Sequence, residues 1–149
     1  MKKVLVLLLL CLSSTVMVFG QETPALHWTP VEVKAEPMAM SAILVIDDVE
    51  QGEASLNFEI GIFDQNGVCR GAKLPRLKKC RYKYSPVIFG DSGYTYTCRI
   101  YDHANKQELD LIFVPNTDDP LLYEGNHFFG ASNNPYVLNF KSGKKDKEK

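Results

Sequence analysis

The stretch that most restricts the fold is YTYTCRIY at positions 94–101. Tyr94, Tyr96, Cys98 and Ile100 fall on one side of an extended chain; Thr95, Thr97, Arg99 and Tyr101 fall on the other. Side chains of a strand alternate between its two faces, so this pattern predicts a strand with one buried face. The same period recurs in NFEIGIF (57–63), where Phe58, Ile60 and Ile62 share a face. MSAILVI (40–46), residues 81–89 and residues 108–114 are further β-rich runs, and Phe128-Phe129 and residues 136–140 supply the last apolar pieces. Asn66-Gly67 between apolar runs is a strong hairpin signal, with 68–70 opening the returning strand. GDSG at 90–93 is good turn chemistry and joins 81–89 to 94–101 in a second predicted hairpin, whose opposed residues sum to 183. After position 20 no window of 11 or more residues holds a clean helical period, and no internal repeat occurs. Seven or eight short strands with frequent turn signals predict an all-β chain, an antiparallel β-sandwich.

The two ends read differently from this body. Met1-Lys2-Lys3 is a short cationic start, residues 4–12 are apolar without charge, and Val18-Phe19-Gly20 ends the segment on short or small residues. This is the plan of a secretory signal peptide over 1–20, too short to span a bilayer comfortably. Cys11 follows Leu10 inside the apolar run, which argues against a lipoprotein site. From Gln21 onward the chain is of single-domain size, and no second apolar segment predicts a membrane crossing. FKSGKKDKEK at the C-terminus has no apolar residue after Phe140. Such a segment buries too little to offset its ordering entropy, so 141–149 is predicted to be a disordered charged tail and 21–140 the folded domain.

An exported chain tends to pair its thiols. Cys69, Cys80 and Cys98 follow the leader, so one intramolecular bond leaves one thiol over. In the predicted second hairpin Cys98 faces Ser85, and five residues, roughly 16 Å of strand, separate it from Cys80. That is beyond the Cα distance a disulfide tolerates. Cys69–Cys80 would close a 12-residue loop, a constraint of about 3 kcal/mol in the chain-entropy account. Cys69–Cys98 stays open if strands of two sheets face each other, while Cys98, aligned with Tyr96 and Ile100, reads as a buried small hydrophobe.

Between residues 21 and 140 there are ten Lys and Arg residues, and seven of them lie in CRGAKLPRLKKCRYK (69–83). That run has no acid, in a body of net charge −6. Arg70, Lys73, Arg76, Lys78, Lys79, Arg81 and Lys83 are therefore candidates for contact with phosphate or sulfate groups. Tyr82 and Tyr84 alternate with the cations and offer rings to a sugar. The competing expectation is a solvated loop, 72–79, leading into an edge strand whose lysines discourage aggregation. An exported chain with a net acidic body is not expected to bind nucleic acid.

Other constellations carry less. Ser92 of GDSG has no base or orienting carboxylate near it in sequence, and catalysis needs both. His27, His103 and His127 have no metal-ligand spacing. The acidic clusters at 47–50 and 116–119 lack the alternation and glycine of a calcium loop. No cofactor is predicted.

The order of motifs carries a resemblance. Trp28 precedes MSAILVIDDVEQ; then come FEIGIFDQNGVCRG, VIFGDSGYTYTCRIYDHANKQEL and NPYVLNF. This resembles a small all-β module recurring in secreted and surface proteins of Gram-negative gut anaerobes. Cys69-Arg70-Gly71 and Tyr101-Asp102-His103 are its most specific parts; Asp48, Ile62 and Cys98 depart from it. The resemblance implies an immunoglobulin-like sandwich without known catalytic activity or established ligand. The expectation is an exported, non-enzymatic protein, periplasmic or surface-associated. It would bind a glycan or another anionic envelope component, or alternatively serve as a protein–protein subunit of an envelope assembly.

Overall fold

The computed structural model describes residues 23–143. Residues 1–20, read as a signal peptide, lie outside that range. Among the described residues the fold is all-β, with thirteen strands: β1 (Met38–Met40), β2 (Ala42–Ile46), β3 (Val49–Glu50), β4 (Phe58–Asp64), β5 (Cys69–Lys73), β6 (Arg76–Lys78), β7 (Arg81–Lys83), β8 (Val87–Ile88), β9 (Tyr96–Asp102), β10 (Gln107–Glu108), β11 (Leu111–Val114), β12 (Phe128–Phe129) and β13 (Tyr136–Ser142). A short 3-10 turn, Gly52–Asn57, joins β3 to β4. No helix among these residues is long and apolar enough to cross a membrane.

Two four-stranded sheets, ordered β10-β9-β4-β5 and β11-β13-β2-β3, turn their apolar faces to one core. Ile60 and Ile62 of β4 and Cys98 and Ile100 of β9 come from the first sheet; Leu44 of β2 and Leu138 and Phe140 of β13 come from the second. The alternation read at 94–101 is what aims them. Tyr96, Cys98 and Ile100 are buried while Thr97 and Arg99 are exposed. Asn66-Gly67 forms the expected hairpin. Gly67 takes φ +76 and its N–H donates to Asp64 O, and β4 pairs β5 with a bulge between Ile62 and Phe63.

The pairing is not wholly antiparallel. β13 runs parallel to β2, and β12 parallel to β1. The strands are also more numerous and shorter than the sequence pattern suggests. Residues 81–89 do not form one strand opposite 94–101. Pro86, which has no N–H to give a ladder, lies between β7 and β8. β7 pairs β6, β8 pairs β1 in a third sheet of order β12-β1-β8, and β9 pairs β4, so Cys98 stands opposite Ile62 rather than Ser85. The run 108–114 divides as well: β10 belongs with β9 and β11 with β13, because the chain crosses between sheets at Leu109 and Asp110.

At the C-terminus β13 continues past Phe140. Lys141 pairs across from Ile112, and Ser142 donates through N and Oγ to the Asp47 carboxylate. The domain therefore extends two residues into the segment read as a tail, because ladder bonds and a carboxylate supply what apolar burial does not. Residues 144–149 lie outside the described range.

The N-terminal segment runs over the outer face of β4 and β9. Glu59, fully buried, accepts hydrogen bonds from the backbone N–H groups of His27 (2.7 Å) and Trp28 (3.0 Å), and lies 2.7 Å from His103 Nε2. His27 stacks on Tyr101 with ring centroids 3.7 Å apart, and Trp28 meets Phe63 edge-on. Gly61 makes room for the indole: a Cβ there would stand 2.5 Å from Trp28 Cε3.

Candidate functional site

The basic run is a hairpin, not a loop. β6 and β7 pair Arg76 with Lys83, Leu77 with Tyr82 and Lys78 with Arg81, around a two-residue turn at Lys79-Cys80. Both turn residues have positive φ, +51 and +61, as the turn type that suits a two-residue hairpin requires. The hairpin is held to the body by its C-terminal extension. Tyr84 exchanges two backbone hydrogen bonds with Ala42, and its hydroxyl donates to Phe58 O at 2.9 Å. Tyr84 is fully buried, and burial raises its phenol pKa far above the ordinary value.

This register gathers Arg76, Lys78, Arg81 and Lys83 on one hairpin face, because alternate residues share a face and opposed residues match. Both cross-strand pairs are then like-charged, an arrangement that destabilises a bare ladder. Two neighbours offset it. Arg81 makes a bidentate pair with Glu50 at 2.8 and 2.7 Å, and hydrogen bonding to Arg81 lowers the Glu50 pKa. Lys83 is only 3% exposed and donates from Nζ to Ser132 O. Arg76 and Lys78 have no carboxylate partner among the described residues; Lys78 Nζ donates to Ser85 Oγ at 3.0 Å.

Lys78, Lys83 and Ser85 line two adjoining clefts. One, of about 220 Å³, is otherwise bounded by Lys73, Leu74 and Arg76. The other, of about 270 Å³, opens onto the outer face of β1. The arrangement is a half-enclosed surface with ammonium, guanidinium and hydroxyl donors and no acid in its lining. Its chemistry suits an anion whose oxygens accept several charge-assisted bonds.

The nine residues read as a binding loop thus separate. Arg76, Lys78 and Lys83 come together at the clefts, with Lys73 at one rim. Lys79 is exposed at the tip. Arg81 is committed to Glu50, and Tyr84 is buried in the core rather than open to a sugar. Tyr82 is half-buried on the hairpin's other face, opposite Leu77. Arg70 is removed from the site altogether. It lies on β5 and pairs with Asp64 at 2.7 Å, both side chains buried, while its Nη1 donates to Val31 O. Ser85, Ala39, Val87, Phe128 and Ser132 escape a search for charge, because they reach the cleft through pairing between distant strands. The one signal for two of them is the paired apolar residues Val87-Ile88 and Phe128-Phe129. In a strand only one of two neighbours can face the core, and here Val87 and Phe128 face out, 50% and 54% exposed.

The proposed Cys69–Cys80 staple is absent. Cys69 is buried beside Phe63 and Trp28, Cys80 is exposed at the hairpin tip, Cys98 is buried in the main core, and all three thiols are free. The hairpin explains this: its two strands carry the tip away from β5 instead of returning it to Cys69. Burial raises the Cys69 and Cys98 pKa values.

Ser92 lies in an exposed turn closed by Tyr94 N–H to Asp91 O. Among the described residues no group of three His, Cys, Asp or Glu side chains is placed to hold a metal ion. Compared with known proteins, the chain matches no family model, no curated protein and no solved structure.

Proposed function

We propose that this protein is an exported, non-catalytic binding module of the cell envelope, and that the face of the β6–β7 hairpin takes up an anionic glycan or another anionic envelope component. The observation that carries this reading is the set of four cations on one face of a short hairpin, of which only Arg81 has a carboxylate partner among the described residues. Like-charge pairs opposite one another cost stability, and a ligand's anionic groups would relieve that cost. The immunoglobulin-like description fits two further features: two sheets over one core, and a β2 strand that runs parallel to the closing β13. It agrees with the resemblance to the small all-β module of gut anaerobes.

The test is binding to an immobilised acidic polysaccharide such as heparin. Arg76→Glu with Lys78→Glu should weaken it by at least tenfold, and added salt should weaken the unaltered protein steeply. Binding that ignores both changes removes the hairpin from the account.

A structural, protein–protein role is favoured by a different observation. β11 is the edge of its sheet, and it sets Ile112 and Val114 outward beside Val137 of β13, all three exposed. An apolar edge strand is a template for pairing with another chain. Ile112→Lys should abolish co-purification with an envelope protein under this reading and leave heparin binding intact.

A further inference from the structure

The second cleft adds a shape to the charge. β1 runs between β8 and β12, and Ala39 stands in register with both Val87 and Phe128. Met38 and Met40 on either side of Ala39 are buried, so Ala39 faces outward with its two partners. A methyl group between an exposed valine and an exposed phenylalanine leaves a trough: Ala39 is the floor, and the Val87 and Phe128 side chains are the walls. This trough opens at one end onto Lys78, Lys83 and Ser85, so the ammonium groups and the apolar walls bound one cavity. Ser85, Ser132 and Ser41 complete the polar end.

A simple polyanion has no use for the trough. It would be served by the outer cations alone, Arg76, Lys78 and Lys79. An apolar floor beside a buried ammonium matches a ligand whose anionic group is attached directly to a compact ring with an apolar face. A pyranose is such a ring. Its axial C–H groups present an apolar face that packs on an aromatic side chain, and a carboxylate or sulfate on the ring projects within a few ångströms of that face. Charge recognition by Lys83 and Lys78 and ring packing on Phe128 would then act on one sugar unit. Lys83 suits the task for a physical reason: an ammonium withdrawn from water interacts more strongly with an incoming anion than an exposed one does.

We infer that the groove over β1 is a subsite for a single acidic sugar unit, a hexose carrying a ring carboxylate or sulfate, with its ring against Phe128 and Val87 and its anionic group at Lys78, Lys83 and Ser85. This rests on the anionic-glycan reading above and names the unit that the site selects.

The experiment measures binding of the full chain to three probes at one ionic strength. They are polygalacturonate, whose rings carry carboxylates; dextran sulfate, whose rings carry sulfates and no carboxylate; and inorganic polyphosphate, which is anionic without a ring. Two variants are compared with the unaltered protein: Phe128→Ala, which removes a wall, and Ala39→Leu, which fills the floor. Thermal melting verifies that both are folded. The inference expects at least one ring-bearing polymer to bind about tenfold more tightly than polyphosphate. It also expects each folded variant to lose roughly five- to tenfold of that affinity, with polyphosphate binding unmoved. Which ring polymer wins tells carboxylate from sulfate. Equal binding of all three probes, or folded variants with unchanged affinity for the ring polymers, overturns the acidic-sugar subsite while leaving anion binding at the hairpin standing. If none of the three binds, the anionic-glycan reading itself falls. A melting loss confined to Ala39→Leu leaves Phe128→Ala, at an exposed position, to decide.

Discussion

Arg70 and Asp64 form a buried ion pair, the guanidinium Nε donating to Asp64 Oδ2 at 2.7 Å. Asp64 also closes the β4–β5 turn, accepting from the N–H groups of Asn66 (2.9 Å) and Val68 (3.1 Å) through Oδ1. Burial works against the Asp64 charge, yet Arg70 and the two N–H donors outweigh it and hold the pKa below the ordinary aspartate value. A group with a lowered native pKa contributes stability that is complete above its ordinary value, 3.8 here, and is lost as pH falls through the native one. Removing one partner strands the other in the interior. Arg70→Ala should therefore cost about 3–5 kcal/mol, read from urea unfolding at neutral pH. Asp64→Asn should also flatten the loss of stability between roughly pH 4 and the acid limit.

Gly61 and Trp28 set up a second test. The indole occupies the space a β-carbon at 61 would need, with Trp28 Cε3 2.5 Å and Phe63 Cε2 2.7 Å from that position. Gly61→Ala should push the N-terminal segment off the outer face of β4 without opening the core. Trp28 is the only tryptophan, so its emission should shift to longer wavelength while far-ultraviolet circular dichroism stays unchanged. An unshifted spectrum would show that the segment accommodates the methyl group in place.

The three thiols should differ sharply in reactivity. Cys80 is exposed, whereas burial shields Cys69 and Cys98 and raises their pKa values, which disfavours the reactive thiolate. At pH 8 an aromatic disulfide reagent should modify Cys80 within seconds to minutes and reach the other two only after denaturant is added. Peptide mapping of the quenched reaction checks the assignment.

Glu50 restrains the candidate site through Arg81. The pair is exposed, so it contributes no more than about 1 kcal/mol to stability, and Glu50→Gln should leave the melting temperature nearly unchanged. The substitution frees a guanidinium on the cationic face and removes a negative charge beside it. Heparin affinity at low salt should then rise by a few fold, with the gain disappearing at high salt. A fall in affinity would mean that Arg81 has to be held by Glu50 for the face to form.

How far the sequence reveals this structure depends on how local each determinant is. The Tyr96–Asp102 strand and the Asn66-Gly67 turn are legible because alternation and a left-handed glycine act within a few residues. The basic hairpin is not, since its turn uses Lys79 and Cys80 at positive φ, where neither asparagine nor glycine gives a warning. The division of 81–89 between β7 and β8 is set by partners far away in sequence: Ala42 takes Tyr84, and Met38 and Ala39 take Ile88 and Val87. The candidate site follows the same division. Its cations are visible as a run, but the difference between Lys83 at the cleft and Arg70 in a core ion pair comes from which strand carries each. The uncharged walls of the groove become apparent only when β1 lies between β8 and β12.

The parallel ladder between β2 and β13 also has a mechanical meaning. Ala42 lies beside Tyr136 and Ile46 beside Phe140, so the chain enters β2 at one end of the ladder and leaves β13 at the other. Tension drawn through the polypeptide on both sides of the domain would slide these two strands lengthwise against each other. The evenly spaced bonds of a parallel pair would then bear the load together instead of opening one after another. The same pairing that closes the fold therefore makes it resist being pulled apart along its own chain.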